Sequence, residues 1–302
     1  MTRYLTDIAV VLGAGLLLAT ALTGCEDMEE AARIGQQILR ENPDLIEDED
    51  ERETVRSGLR AVEAMIGDID TGEEIAMGQS LTVRAFAAFG RPHPSRDLQR
   101  YVSRVGTLVA LQSERPSLPY SFAVVQNPDP TALALPGGFV LVSTGLLREL
   151  HSESELAAIL GHEISHVAQK HGLEIVLRDR RISRLLDFAG RLDEDSEEYR
   201  KFIEESYQKL AHEGYDLRYE TIADVAGTRY AYRAGYHPEG LLPFLRRSAE
   251  SRGELTFETS QSHPSPRRRI NAIQSHLGGL APYSRYPRLQ DRYQKEALAR
   301  LR

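Results

Sequence analysis

The chain has 302 residues, 41% of them hydrophobic and 27% charged, a balance that belongs to a folded globular protein with room for one or two domains. A formal net charge of −8 argues against nucleic acid as a partner, because a phosphate backbone selects basic surfaces. A single cysteine, Cys25, excludes an intrachain disulfide framework and any cysteine-built metal site.

Residues 1–24 carry Arg3, then an apolar run from Ile8 to Leu22, then Thr23 and Gly24. An apolar run ending in small residues is the pattern of an export signal. The ending Leu22-Thr23-Gly24-Cys25 resembles a bacterial lipobox, in which the cysteine thiol is lipidated and becomes the mature N-terminus. The alternative is an uncleaved anchor, since Ile8 to Gly24 is near the lower length limit for a spanning helix. Either reading expects a protein of the bacterial cell envelope, facing the periplasm and tethered to the inner or outer membrane. Residues 25–70 form an acidic, helix-prone linker, with six acidic residues in the seven from Glu47 to Glu53.

From Thr71 the pattern changes. Residues 72–90 and 95–113 read as two amphipathic helices separated by the turn at Arg91 to Pro94. Tyr120 to Gln126 reads as a strand, followed by an Asn-Pro-Asp-Pro turn. Residues 133–147 combine two β-prone pieces around Pro136-Gly137-Gly138 and lead into a helix. The two glycines permit an unusual turn or a close backbone approach. A strand in this position is able to take an extended peptide as a further strand.

Residues 152–171, SESELAAILGHEISHVAQKH, carry the chemistry. Leu156, Ile159, Leu160, Ile164 and Val167 recur at helical spacing, and Ser152 with Glu155 makes a capping box at the helix start. On such a helix His162 and His166 stand one turn apart on one face. Two imidazoles so placed suit a tetrahedral Zn²⁺, and Glu163 beside them suits a general base, which is the H-E-x-x-H arrangement of zinc peptidases. The bland alternative, two solvated histidines next to a glutamate, conflicts with the apolar flanks.

Residues 173–213 are charged and helical with a break at Asp193 to Asp195, a lid or an insertion. Residues 214–236 read as a helix on which Glu220 and Asp224 share a face. Ala223, Ala226 and Gly227 suit a close approach to a second helix. Glu220 is the candidate third ligand, and Asp224 can accept a hydrogen bond from the outer nitrogen of a ligand histidine, although the spacing alone equally describes two solvated carboxylates on a charged helix. A helix follows over 238–250. Two prolines keep 260–270 extended, presenting His263 and Arg267 to Arg269 from a loop. A basic triplet is usually solvated surface, while a histidine and an arginine delivered toward a metal are what a developing oxyanion requires. Residues 286–302 read as a polar C-terminal tail with a frayed helix.

Four segments in this order, LALPGGFVLVSTGLL, GHEISHVAQKH, YETIAD and SHPSPRRRI, resemble the M forty-eight family of zinc metallopeptidases. That group includes HtpX and the CAAX prenyl endopeptidases, and the resemblance is to its periplasmic, lipoprotein-type members. It implies an α+β, mainly α, zincin-like (gluzincin) peptidase domain over 71–285, with a small β-sheet beside the H-E-x-x-H helix. It implies one Zn²⁺ per chain held by His162, His166 and Glu220, with Glu163 as catalytic base. Asp224 matches the family's aspartate four residues after the ligand glutamate, and His263 and Arg269 match its catalytic histidine and arginine. Pro136, Gly137 and Gly138 match its substrate-edge segment. One departure is Thr131, where the family often has asparagine. No tetratricopeptide repeats and no second long apolar stretch are present in the sequence.

The expected function is a zinc-dependent endopeptidase acting on unfolded or misassembled envelope proteins, hence in protein quality control, with polypeptide substrates and a lipid-anchored attachment to the membrane. His263 on a loop could alternatively sit on the open metal position and keep the enzyme latent. A different class, a non-catalytic zinc-binding chaperone or assembly factor, is disfavoured because a structural site has no use for Glu163 and is normally closed by four ligands. A hydrolase of small substrates fits the motif alone, and the strand-like edge beside the motif favours a polypeptide.

Overall fold

Two helices lead into the sheet of the computed structural model, which describes residues 69–177, 196–213, 215, 217–251, 266–280 and 283–301. Cys25, His263, the export signal and most of the acidic linker lie outside the described residues. Thr71–Arg302 forms one compact unit. In α1 (Thr71–Phe89) the buried positions Met77, Gly78, Leu81 and Ala85 recur every three or four residues and make one face. Glu74 is also buried on that face, where its carboxylate takes two bonds from Arg115, at 3.0 and 2.7 Å, and one from the Gly137 N–H at 2.9 Å. Helix α2 (Arg96–Ala110) starts where the Ser95 hydroxyl accepts the Leu98 N–H, and it buries Leu98, Val102, Val105 and Val109.

The sheet has three strands, β1 (Ser121–Val125), β2 (Ala132–Leu135) and β3 (Phe139–Ser143), in the order β1-β3-β2. Strand β3 is central, parallel to β1 from Ser121↔Phe139 to Val125↔Ser143, and antiparallel to β2 from Ala132↔Val142 to Leu135↔Phe139. Pro136–Gly138 makes the tight turn from β2 to β3, with φ of +75° at Gly137 and +98° at Gly138. A Cβ on Gly137 would stand 2.7 Å from the Ile75 Cα, and one on Gly78 would stand 2.0 Å from the Pro136 carbonyl oxygen. The close approach that these glycines permit is therefore that of α1, and the turn is buried beneath it.

Strand β3 runs into α3 (Thr144–Glu149), and then comes α4 (Glu153–Ala168). Ser152 caps α4 by accepting the Glu155 N–H at 3.2 Å, while the Glu155 carboxylate accepts the N–H of His151 at 3.1 Å. All sixteen residues of α4 are buried, so it is a core helix rather than the amphipathic one that its pattern suggests. It stops at Ala168. Lys170, in the left-handed region with φ +59°, separates it from α5 (His171–Leu177).

The described part of the charged 173–213 stretch includes α6 (Glu197–Gln208), which lies on α1. There Arg84 pairs with Glu204, and the Ser80 and Tyr199 hydroxyls are 2.8 Å apart. Helix α7 (Leu217–Arg233) crosses α4 with glycine facing glycine. A Cβ on Gly227 would stand 2.5 Å from the His162 nitrogen, and one on Gly161 would stand 2.6 Å from the Gly227 oxygen. No side chain fits between the two backbones, which brings the first turn of α7 against the histidines.

Helices α8 (Leu241–Ser251), α9 (Pro266–Leu277) and α10 (Gln290–Glu296) close the core around Leu147, Leu156, Tyr230, Leu241 and Ile273. Two expectations change here. The extended segment over 260–270 is helical from Pro266, because proline's fixed φ suits the first turn of a helix. The terminal stretch is docked rather than frayed: Tyr293 is fully buried, its hydroxyl donates to the Leu147 carbonyl at 2.6 Å, and Arg292 pairs with Glu153. No helix among the described residues is long and apolar enough to cross a membrane.

Candidate active site

Three donor residues converge where α4 meets α7. Nε2 of His162 and Nε2 of His166 are 3.1 Å apart. Glu220, in the first turn of α7, places Oε1 3.3 Å from the His166 Nε2 and Oε2 3.6 Å from the His162 Nε2. For metal bonds of about 2.0–2.1 Å, the edge of a ligand tetrahedron is about 3.3 Å. The observed separations are of that length, and two imidazoles with one carboxylate are a zinc donor set. The residues present therefore fit a zinc ion. Their relative exposures are 3%, 1% and 0% for His162, His166 and Glu220, which shields the cluster from competing water.

The surroundings set the protonation states. Burial pushes His162 below its usual pKa, and Arg269 adds to this against the opposing pull of Glu220 and Asp224, so the ring is neutral and keeps a lone pair for a metal. Its Nδ1 donates to Asp224 Oδ1 at 2.9 Å, which leaves Nε2 as the lone-pair nitrogen. Burial acts to raise the Asp224 carboxyl, but the charge and hydrogen bonds of Arg269, with the hydrogen bond from His162, outweigh it and hold the group at about 2. Arg269 reaches Asp224 with two nitrogens, Nε to Oδ2 at 2.9 Å and Nη2 to Oδ1 at 2.7 Å, and its Nη1 lies 3.6 Å from Glu220. It stands in the first turn of α9 rather than on a loop, and besides the two carboxylates its Nη2 lies 3.3 Å from the His162 Nδ1. The residue is thus helix-borne rather than presented from the loop that the prolines suggest.

Glu163 follows His162 on α4 and is buried beside the cluster. Its charge, with burial acting first, helps to raise the pKa of the Tyr215 hydroxyl. The Tyr215 ring is stacked on His166 with centroids 3.8 Å apart and planes at 17°. Pro136, Glu74 and Leu135 line a narrow cleft together with His166 and Tyr215. Of the substrate-edge triplet, Pro136 faces this cleft. His263 lies outside the described residues. Sequence reasoning missed His171, whose Nδ1 is 3.0 Å from the His166 Nδ1, and it missed Tyr215 and Tyr219 around it. The available signals were the third histidine that closes GHEISHVAQKH and the two tyrosines just before Glu220.

A mainly helical fold with a small mixed sheet and a buried His-Glu-His helix facing a glutamate defines a zincin-like metallopeptidase domain. Residues 92–277 match Peptidase family M48, and the chain belongs to that family, whose metalloproteases use zinc. Over 214 residues it is 28% identical to the mitochondrial metalloendopeptidase OMA1 of Schizosaccharomyces pombe, covering 70% of this chain and 63% of that protein. Over 256 residues it is 24% identical to the beta-barrel assembly-enhancing protease of Yersinia pestis, covering 75% and 50%. The Escherichia coli protein of the same name is 25% identical over 195 residues, covering 61% and 40%. The chain thus spans between 40% and 63% of the length of these relatives.

Proposed function

We propose that this chain is a zinc-dependent endopeptidase that cleaves unfolded or misassembled proteins of the cell envelope, with one zinc ion per chain. The observation that carries the reading is the convergence of His162, His166 and Glu220 at tetrahedral-edge distances, with Glu163 in the same helix. A zinc ion held by His162, His166 and Glu220 would supply a Lewis acid for the scissile carbonyl and make the attacking water more acidic. The chain's own residues do the rest. Asp224 fixes the tautomer of His162, and Arg269 keeps Asp224 charged and in place. Glu163 takes a proton from the attacking water and returns it to the leaving amine. His263, from the histidine-proline segment, is assigned as the donor to the oxyanion on the strength of the sequence.

The substrate class follows from the sheet. Among the described residues β2 pairs only with β3, and α4 lies against it, so an extended polypeptide along β2 would run past the cluster, held by main-chain bonds that do not depend on its sequence. Unfolded protein meets that requirement. The test is degradation of casein by the zinc-loaded full chain. Cleavage that stops on chelation and returns with zinc supports the reading, and intact casein with zinc bound overturns it.

The envelope location rests on the lipobox-like Leu22 to Cys25 and on the likeness to proteins named for beta-barrel assembly, while the mitochondrial relatives show that the domain serves more than one compartment. In a bacterial host, radiolabelled palmitate is expected to be incorporated into the wild type and not into Cys25→Ser. A wild type that stays unlabelled in the membrane fraction would favour the uncleaved anchor instead.

A further inference from the structure

The two histidines of the cluster are held from behind by different chemistry. His162 gives its outer N–H to a carboxylate, that of Asp224. The outer nitrogen of His166 faces another imidazole, with Nδ1 of His166 and Nδ1 of His171 3.0 Å apart and the rings at 71°. We propose that His171 is a positioning residue for zinc, accepting the Nδ1–H of His166 and so fixing the tautomer and ring plane of that ligand. The proposal rests on the zinc-site reading above and adds a residue to it.

The proton count supports this arrangement. A neutral imidazole carries one proton, and a ring that offers Nε2 to a metal keeps it on Nδ1. Two Nδ1 atoms at hydrogen-bond distance share one hydrogen, so His171 accepts at Nδ1 and carries its own proton on Nε2. The backbone is shaped for the contact. In a continuous helix, residue 171 would be rotated about 140° from residue 166, and the two rings would not meet. Lys170 breaks the helix by taking a left-handed conformation unfavourable to a residue with a Cβ, and α5 begins at His171, whose side chain is buried against His166.

His171 is held in turn. Its ring lies 4.4 Å from that of Tyr219 at 37°, and the Tyr219 hydroxyl donates to Glu174, one turn along α5, at 2.5 Å. Tyr219 immediately precedes Glu220. The contacts therefore tie α5 and α7 to the ring of His166, while Tyr215 covers one face of that ring.

A residue that merely fills space would depend on volume, whereas a positioning residue depends on its acceptor. His171→Leu keeps the volume and removes the acceptor, and His171→Asn brings an amide oxygen close to the place of Nδ1. Zinc affinity of the full chain, measured by competition with a chromophoric chelator, is expected to fall by about 10–100-fold in His171→Leu and to be largely rescued in His171→Asn. Melting of the metal-free proteins checks that both fold. Equal affinity in His171→Leu and the wild type, or an equal loss in both folded variants, overturns the proposal.

A second measurement needs no variant at position 171. In 15N-histidine spectra of the zinc-loaded wild type, His171 is expected as the Nε2–H tautomer, and an Nδ1–H or doubly protonated His171 overturns the assignment. The two readings separate cleanly. A wild type that binds no zinc removes both, while zinc binding that is lost in His166→Ala but unchanged in His171→Leu removes this one alone.

Discussion

Casein turnover by Glu163→Gln is expected to fall by about 10²- to 10⁴-fold while zinc affinity stays at the wild-type value. The substitution keeps the shape of a buried side chain and exchanges a carboxylate for an amide, which can orient a water but cannot take its proton. The converging donor atoms belong to His162, His166 and Glu220, so the metal has no direct stake in position 163. Loss of a buried negative charge next to Arg269 and Tyr215 shifts the local field: burial and then Glu163 raise the Tyr215 hydroxyl, while on Arg269 burial acts to lower the pKa and is outweighed by Asp224 and Glu220, to which Glu163 adds. That shift acts on groups behind or above the histidines, not on the ligand atoms. Chelator competition and turnover on the same preparation give the answer. A parallel drop in zinc affinity would mean that Glu163 supports the site rather than serving as its base, and turnover near the wild-type rate would remove the base altogether.

How much of this was legible before the structure depends on whether the relevant geometry is local. The relation of His162 to His166 is set by the helix, and the relation of Glu220 to Asp224 likewise, so both pairs could be read from spacing. What joins the pairs is a crossing between two distant helices, and its register is set by Gly161 against Gly227. The small residues of α7 signalled that crossing, but Gly161 is an ordinary glycine until its partner is known. His171 stood in plain view five residues after His166, a spacing that belongs to no helical face. Only the left-handed Lys170 gives it a role.

The misread elements have equally specific causes. The prolines and arginines of 260–270 suggest a loop, although Pro266 occupies a position where proline favours a helix, and 266–270 opens one. The terminal stretch looked polar, which masked Tyr293, Ala297 and Leu301 at successive intervals of four, all buried in the core. Helix α4 showed an apolar stripe, but its polar residues are also inside, because Glu153 pairs with Arg292, Glu155 with Arg247, and His162 and His166 with the carboxylates of the site. Burial of charge is invisible in a pattern that treats every charged residue as solvated.

Arg269→Leu is expected to cost about 3–5 kcal/mol of stability, read from denaturation of the metal-free protein. The size follows from what the guanidinium leaves behind. Asp224 is fully buried, and burial alone would raise its carboxyl. The group stays ionised because Arg269 and His162 compensate, and Arg269 supplies two of its hydrogen bonds. Glu220, equally buried, loses a positive charge 3.6 Å away in the same step. Adding Asp224→Asn to the Arg269→Leu chain removes the stranded charge, and its amide oxygen still accepts the His162 N–H, so part of the lost stability returns. Zinc affinity does not return with it, because an amide is a weaker acceptor and orients the ligand less firmly, a loss of about 10–100-fold for such outer partners. A double variant no more stable than Arg269→Leu would show that the arginine acts through packing of its stem rather than through the buried charge. Recovered stability together with wild-type zinc affinity would show that the Asp224–Arg269 pair serves the fold of this helix crossing and not the metal.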